Sequence, residues 1–417
     1  MSQVQPVRGT HDILPEEGRR HRHVVETARE QAERYGFGEI ATPIFEFTEV
    51  FQRTMGDTSD VVTKEMYTFK DRGDEQITLR PEYTAGIARA FISGGLRQEL
   101  PLKFFGSGPM FRYERPQKGR LRQFHQIDAE ILGVAEPQAD IEVVALGADI
   151  LAALGLADRV RLEINTLGDP ESRTAYRQAL VAYFGQHSEK LSQDSRARLE
   201  RNPLRILDSK DPGDRELIPD APRLGDYLNQ HSADFYAEVR AGLEAIGIDF
   251  VHNERLVRGL DYYTHTAYEF VTDELGAQGA VIAGGRYDGL IEALGGPPTP
   301  GIGWAGGIER LVMMIGEVPT PRRPVAVIPI GDDARLPALS LAQELRRAGH
   351  VVELGFRGNL TKRLKRANKL GARAAVLLGE DELARSGATL RDLDSGEQRE
   401  VALEELAEAL QHYLAAT

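Results

Sequence analysis

An arginine-rich loop between two strand-like segments carries the clearest chemical signal in the sequence. Residues 104–133 read FFGSGPMFRYERPQKGRLRQFHQIDAEILG, with apolar residues at both ends and one acid, Glu114, in the loop. The basic residues of the loop are Arg112, Arg115, Lys118, Arg120 and Arg122. Guanidinium groups are planar, multidentate donors that match the oxygens of a phosphate group. The loop therefore predicts a binding site for a polyphosphate.

The strand that follows the loop carries polar side chains at every second position. Gln126, Asp128 and Glu130 should face one side of a sheet, because side chains alternate along a strand. An amide and two carboxylates beside a polyanion site suit a small polar or cationic ligand. The alternative is a charged hairpin exposed to water, as most charged segments are. The arginine content, and acids at positions expected to face inward, argue against that alternative.

The composition is that of a soluble globular protein of two or three domains. The chain has 417 residues, of which 41% are hydrophobic and 28% charged. The absence of cysteine excludes disulfides and cysteine-ligated zinc and suits a cytoplasmic protein. A net charge of -13 argues against general coating of nucleic acid but allows local basic patches. We expect no membrane segment, since the sequence lacks an apolar run of about 18 residues and an apolar signal region.

The first hundred residues predict helices and short strands that lead to a second candidate site. Helices are expected over 15–35 and 47–55, and strands over 38–43, 66–70 and 76–79. The segment TLRPEYT at 78–84 then enters a helix that extends to about residue 91. Pro81 and Glu82 at this point are also typical of an ordinary helix start. The residues alone therefore leave open whether Glu82 only stabilises the start of the helix or also belongs to a binding site.

Two later segments combine glycine with groups that bind ligands. The sequence LVRGLDYYT at 256–264 places Arg258 beside a glycine, which permits close approach of a ligand, and before the phenol of Tyr263. A twisted strand with buried tyrosines is the alternative.

GIGWAG at 301–306 satisfies GxGxxG, but a glycine- and proline-rich segment replaces the expected preceding strand, so we reject a dinucleotide-binding fold. A glycine-rich strand followed by a helix carrying Arg310 suits a nucleotide instead.

The proline-rich segment 317–324 predicts a linker to a small C-terminal domain. Strands at 325–330, 351–355 and 374–378 alternate with helices at 334–348 and 359–370, followed by a hairpin near 394–396 and a helix from about 403. This order is typical of an α/β domain with a mostly parallel sheet. Residues 357–373 contain seven basic residues and no acid, which indicates either a solvated helix face or, as we favour, an RNA contact.

Taken together, these segments resemble the histidyl-tRNA synthetases, a class II family. The loop sequence resembles motif 2 (about 104–133), LVRGLDYYT matches the histidine signature (256–264), and GIGWAGGIERL resembles motif 3 (about 301–313). Residues of about 40–60 resemble motif 1, which in the family forms much of a homodimer interface. The family often has glycine where Tyr83 stands. The resemblance implies an α+β catalytic domain (1–320) with an antiparallel class II sheet, a helical insertion (169–250), and a C-terminal α/β anticodon-binding domain (325–417).

The resemblance also implies an activity and the residues that perform it. The enzyme would activate L-histidine with ATP to histidyl-adenylate and pyrophosphate, then transfer histidine to the 3′ end of its tRNA. Magnesium would accompany the ATP phosphates without a dedicated protein cage. The implied ATP-binding residues are Arg112, Glu114 and Arg310. The implied catalytic residues are Arg112, Arg258 and Arg310. The implied histidine-binding residues are Glu82, Thr84, Gln126, Glu130, Arg258, Tyr263 and Tyr287. The implied tRNA-binding residues are Gln117, Arg122, Lys362, Arg363, Lys365 and Arg366.

Two related kinds of protein are alternatives. The synthetase-like regulatory subunit of ATP phosphoribosyltransferase is catalytically inactive, and it typically lacks the histidine signature and the C-terminal domain that are present here. The synthetase-like region of a stress kinase would accompany a kinase domain, whose motif set is absent from this sequence.

Overall fold

The computed structural model describes residues 3–55, 61–207, 209–256, 262–276 and 279–413. The chain divides into two compact units, Met1–Val318 and Pro319–Thr417. Among the described residues, no helix has both the length and the apolar character needed to cross a bilayer.

The first unit is built on an eight-stranded sheet. Its strands are β1 (Gly38–Glu39), β5 (Leu102–Phe111), β6 (Gln123–Leu132), β7 (Arg161–Thr166), β8 (Val251–His252), β9 (Thr264–Val271), β10 (Ala280–Arg286) and β11 (Gly301–Gly307). They lie in the order β1-β5-β6-β11-β10-β9-β7-β8. The two edge pairs, β1–β5 and β7–β8, are parallel, and the pairs between them are antiparallel. The predicted antiparallel class II fold is confirmed.

The pleat of this sheet separates an apolar face from a polar one. Ile127, Ala129 and Ile131 of β6 join a core cluster with helices α1 (Pro15–Arg34), α4 (Pro137–Ala153), α8 (Gln230–Ala245) and α10 (Ile308–Met314). The alternate residues of β6 face the other side, as predicted from period two. Trp304 of β11 anchors that strand to the helical layer, because its indole N–H donates to the carbonyl of Val143 in α4 at 2.8 Å.

A second, three-stranded sheet accompanies the start of the chain. It consists of β2 (Phe45–Phe47), β3 (Tyr67–Lys70) and β4 (Gln76–Leu79), antiparallel in the order β2-β4-β3. The prediction of a strand over 38–43 was wrong in length, because the chain leaves the large sheet after Glu39 and enters this one at Phe45. Pro43 lies between these two strands, and because proline has no backbone N–H it would interrupt the hydrogen bonds between paired strands. Helices α2 (Thr48–Met55), α3 (Thr84–Ser93) and α9 (Leu290–Ala293) complete this region.

The segment predicted to be a helical insertion is helical. Helices α5 (Pro170–Gln186), α6 (Gln193–Arg201) and α7 (Pro212–Leu217) precede α8. A separate apolar cluster that includes Leu180, Phe184 and Leu217 stabilises this part of the unit, whereas Val239 and Leu243 of α8 belong to the core beneath the large sheet.

The second unit contains a five-stranded sheet. Its strands are β12 (Val325–Pro329), β13 (Val352–Leu354), β14 (Ala374–Leu378), β15 (Gly387–Asp392) and β16 (Gln398–Ala402), in the order β13-β12-β14-β15-β16. Its helices are α11 (Arg335–Arg347), α12 (Leu360–Lys369), α13 (Glu380–Ala384) and α14 (Leu406–Ala409). The predicted mostly parallel sheet is instead mixed, because the C-terminal hairpin adds two antiparallel pairs to the two parallel ones.

Candidate active site

A cavity of about 190 Å³ opens on the polar face of the large sheet. Strands β6, β10 and β11, the start of α3 and the motif 2 loop all contribute to its walls. The residues predicted from the sequence that line it are Glu82, Thr84, Arg112, Glu114, Gln126, Tyr263, Tyr287 and Arg310. Glu130 is hydrogen-bonded to two of these residues. Arg258 lies outside the described residues, in the gap 257–261.

Glu82 both lines the cavity and holds the start of α3. Its carboxylate accepts hydrogen bonds from the backbone N–H groups of Thr84 at 3.0 Å and Ala85 at 2.7 Å. Pro81 and Glu82 precede the helix, so this is a carboxylate capping the first turn from outside. Burial raises the pKa of Glu82, and its hydrogen bonds and Arg112 oppose that shift. The two interpretations of Glu82 left open by the sequence are therefore compatible.

Glu130 is fully buried and accepts a hydrogen bond on each carboxylate oxygen. Thr84 donates its hydroxyl to Oε1 and Tyr287 donates its hydroxyl to Oε2, each at 2.5 Å. Burial raises the pKa of Glu130 to about 8. Gly303 lies opposite in β11, where a Cβ atom would be 1.5 Å from Oε2. Only glycine leaves room for this carboxyl group, which accounts for one glycine of the GIG sequence.

Asp128 is a member of this polar face whose role the sequence did not specify. It is fully buried, and neither carboxylate oxygen has a hydrogen-bond partner among the described residues. Burial, followed by the nearby Glu130 and Glu82 carboxyl groups, raises the pKa of Asp128 well above its ordinary value. Three buried carboxyl groups thus lie together beside the cavity, which favours a ligand that brings positive charge or hydrogen-bond donors.

Two predicted arginines lie at the opposite, basic part of the cavity. Arg112 donates from Nε to the carbonyl of Pro81 at 2.9 Å, and its guanidinium lies 5.3 Å from the ring centroid of Phe124. Arg310 of α10 donates to the carbonyl of Ala280 at 2.6 Å. Burial, with Arg120 and Arg112 nearby, lowers the pKa of Arg310. Because these guanidinium groups destabilise one another's charge, an anion bound between them would be strongly favoured.

Two further residues of the cavity lie in segments that the sequence singled out, but neither was assigned a role of its own. Arg120 lines the cavity and forms an ion pair with Glu114, Nε to Oε2, at 2.7 Å. Tyr262 also lines it, with its ring centroid 4.5 Å from that of Tyr263 and 5.9 Å from that of Tyr287. Alternation along a strand would have placed adjacent tyrosines on opposite faces. Here β9 begins only at Thr264, so the two phenols are not constrained to alternate.

The residues predicted to contact tRNA lie in two places. In the motif 2 loop Gln117 is exposed, whereas the guanidinium of Arg122 packs over Tyr113, 3.9 Å from its ring centroid. In α12 of the second unit Lys362 and Lys365 are exposed. Arg363 donates to the carbonyl of Pro329, and Arg366 forms an ion pair with Glu353 at 2.8 Å. These two arginines therefore also stabilise their own domain.

Within the described ranges, one group of three side chains has the geometry of possible metal ligands: His21, His125 and Glu309. Glu309 lies 2.8 Å from Nδ1 of His125 and accepts from the backbone N–H of the same residue at 3.0 Å. The carboxylate therefore joins α10 to β6. Magnesium prefers oxygen ligands, so we do not assign this group, with two imidazoles, to the magnesium of an ATP complex.

Comparison with known proteins identifies the family. The family model described as "Histidyl-tRNA synthetase" matches residues 9–311, and the one described as "Anticodon binding domain" matches residues 324–413. The histidine–tRNA ligase of Rhodospirillum rubrum is 62% identical over 416 residues, covering 99% of this chain and 100% of the relative. The chain belongs to the histidyl-tRNA synthetase family. The family predicted from the sequence is thus confirmed.

Solved structures of this family agree with the fold described above. The apo histidyl-tRNA synthetase of S. aureus is 35% identical, with a TM-score of 0.82, and the match covers 98% of this chain and 99% of that chain. A Bacillus halodurans protein described as an ATP phosphoribosyltransferase regulatory subunit/histidyl-tRNA synthetase is 21% identical, with a TM-score of 0.61, and covers 91% of this chain and 99% of its own. At that identity it shows only a shared fold. The regulatory alternative is the less supported one because the 62% identical relative is a histidine–tRNA ligase.

Proposed function

We propose that this chain is a histidine–tRNA ligase, which activates L-histidine with ATP and transfers it to the 3′ end of its tRNA. The observation that carries the proposal is the composition of one cavity, in a chain of this family. Buried carboxyl and hydroxyl groups line one part, and arginines line the other. A cationic ammonium group with a polar ring suits the first part, and a polyphosphate suits the second.

In the activation step the carboxylate of histidine attacks the α-phosphate of ATP, forming histidyl-adenylate and releasing pyrophosphate. Two anions must approach each other, so the site needs fixed positive charge that stabilises the transition state. We assign this role to Arg112 and Arg310, whose guanidinium groups already lie at the cavity wall. Arg258, to which we assign the α-phosphate and the substrate carboxylate, lies outside the described residues. Glu114 is assigned to the adenine and would be positioned by Arg120.

Recognition of histidine requires hydrogen bonds to both ring nitrogens and to the α-amino group. We assign Glu82, Thr84 and Gln126 to the amino group. Glu130, Tyr263 and Tyr287 are assigned to the ring. A site built in this way rejects analogues that lack the polar groups by roughly four to five powers of ten, because its own buried groups would be left unpaired.

Magnesium is proposed to enter with ATP, bound mainly by the phosphate oxygens, where it supplies positive charge to the β- and γ-phosphates. We expect no dedicated protein cage for it, because the Glu82 carboxylate already accepts from backbone N–H groups and Glu130 already accepts from hydroxyl groups. A cytoplasmic location is part of the proposal, because the reaction requires ATP and tRNA.

We further propose that the protein is a homodimer. The three-stranded sheet supports this, because its register places six apolar side chains on one face: Phe45, Phe47, Tyr67, Phe69, Ile77 and Leu79. Phe45 and Phe47 are 56% and 53% exposed. The opposite face is polar and satisfied within the unit, where Thr78 forms hydrogen bonds with Thr48 and Thr68. A second copy of the chain would cover the apolar face.

The transfer step is tested at the motif 2 loop. We expect alanine at Gln117 or Arg122 to reduce charging of tRNA with labelled histidine far more than it reduces histidine-dependent exchange of pyrophosphate into ATP. The reason is that neither residue is assigned to ATP or histidine. Equal losses in both reactions would place these side chains at the nucleotide instead. If the parent protein charged no tRNA with histidine, the proposed function itself would be overturned.

A further inference from the structure

Phe356 is the most exposed aromatic residue of the second unit that the structure describes, with 72% of its surface accessible. It lies in the short loop between β13 and α12, in the sequence Gly355-Phe356-Arg357-Gly358-Asn359. A phenyl ring left in water forgoes the stabilisation that burial would give. A ring at a loop tip that the fold does not use is therefore a candidate for binding.

The backbone on both sides of this ring is anchored. Gly355 N–H donates to the carbonyl of Val327 in β12 at 2.9 Å. The side chain of Arg363 packs against Gly355 and donates to the carbonyl of Pro329. On the other side, the Asn359 side chain accepts from the N–H of Lys362 at 3.1 Å and so caps α12. The exposed ring thus projects from a loop that the fold holds in place.

The charges around the ring are basic. Arg357 follows it directly, and Lys362, Lys365 and Lys369 are exposed on α12. These lysines lie at i, i+3 and i+7, which places them on one side of the helix. No acid occurs between Leu354 and Gly379, and Glu353 is paired with Arg366. An aromatic ring beside a row of cations is the arrangement by which proteins hold single-stranded nucleic acid, with a base on the ring and phosphates on the cations.

We propose that Phe356 stacks on an unpaired base of the anticodon arm of the tRNA, while Lys362 and Lys365 contact the adjoining phosphates. This rests on the proposed function and adds to it a base-contacting residue. From the amino-acid sequence, only the charged residues of α12 were assigned to tRNA binding. Those residues supply the part of the affinity that does not depend on the base sequence of the RNA. The basic surroundings favour RNA over an apolar protein partner, which would gain nothing from four exposed cations.

The test compares variants that separate stacking from charge. Dissociation constants for the tRNA are measured over a series of salt concentrations for the parent, Phe356→Leu, Phe356→Trp and Lys365→Ala. Phe356→Leu should weaken binding roughly fivefold to 100-fold without changing the slope of log K against log salt, because stacking releases no counterions. Phe356→Trp should bind like the parent. Lys365→Ala should reduce the slope by about one.

Two controls make the result specific. Leu336 of α11 is 77% exposed in the same unit, and Leu336→Ala should leave tRNA binding unchanged. A minihelix that contains only the acceptor arm should bind the parent and Phe356→Leu equally. Histidine-dependent pyrophosphate exchange, measured without tRNA, should be the same in every variant.

The proposal is overturned if Phe356→Leu binds tRNA like the parent, if Phe356→Trp is as weak as Phe356→Leu, or if the loss persists with the minihelix. A change in oligomeric state or in pyrophosphate exchange would show that the ring contacts protein, which also overturns it. These failures are distinct from failure of the proposed function, in which the parent itself would show no exchange with histidine.

Discussion

Glu130 has a hydroxyl group on each carboxylate oxygen and a pKa raised to about 8 by burial. Around neutral pH most of its population is therefore protonated. Since the pKa in the folded protein exceeds the ordinary value of 4.5, ionisation costs folding stability. That cost is absent below the ordinary value and grows as pH rises to about 8. A buried carboxyl group whose ionised form lowers stability is a candidate for ligand binding.

This pKa gives a pH-dependent prediction for histidine binding. An ionised carboxylate accepts a hydrogen bond from an imidazole N–H more strongly than a neutral acid or amide does. The KM for histidine in pyrophosphate exchange should therefore fall as Glu130 ionises, between about pH 7 and about pH 9. Glu130→Gln should have a higher KM for histidine, and that KM should lack the decrease caused by ionisation of Glu130. The ionisation of the substrate histidine affects both proteins equally, so the ratio of the two KM values reports only the ionisation of Glu130. A ratio that stays constant over this pH range would contradict the assignment of Glu130 to the histidine ring.

At the scale of elements, the end of β10 is fixed by a buried ion pair. Arg286, the last residue of β10, pairs with Asp140 of α4, and both side chains are fully buried. Arg286 also donates to the carbonyl of Val134 at 2.9 Å and contacts Asp288 at 3.0 Å. Tyr287, which donates to Glu130, is the next residue. The ion pair thus positions a residue assigned to the histidine ring.

Removal of one partner should reveal this coupling. Asp140→Ala leaves the Arg286 charge buried without its main partner, so we expect a loss of about 3–5 kcal/mol in the free energy of unfolding of the first unit. Trp304, the single tryptophan, reports that unfolding by its fluorescence in urea. Glu274→Ala removes the partner of Arg159 in an exposed pair of the same unit and should cost less than about 1 kcal/mol. Equal costs for the two variants would show that the buried pair has no special role.

The sequence predicted helices and strands well where local patterns decide them. Alternation in β6 correctly grouped Gln126 with Glu130, and the helices predicted over 15–35 and 47–55 are present as α1 and α2. The length of β1 and the mixed sheet of the second unit were not predicted, because strand pairing depends on partners distant in sequence. Asp128 and Tyr262 were not assigned to the site for a related reason: the burial of a polar group follows from what packs over it. Arg258, the residue central to the resemblance, lies outside the described residues.

At the scale of the whole molecule, the apolar face of the three-stranded sheet should determine assembly. Phe47→Asp places a charge in the middle of that face, and burying it against a second copy would be costly. We expect the parent to sediment as a dimer and the variant to shift toward monomer at micromolar concentration. Leu336→Asp, at an even more exposed apolar site in the second unit, should remain dimeric. A parent that is monomeric at that concentration, or a Phe47→Asp variant that stays dimeric, would rule out this face as the interface.

The most direct test of the proposed function is pyrophosphate exchange into ATP by the purified protein without tRNA, measured with each amino acid in turn. We expect exchange with histidine alone. We also expect Arg112→Ala largely to abolish this exchange, because the phosphates lose a fixed positive charge, whereas Lys365→Ala in the second unit should leave it unchanged. Histidine binding without exchange would indicate a regulatory protein, and exchange driven by a different amino acid would contradict the assignment of the cavity.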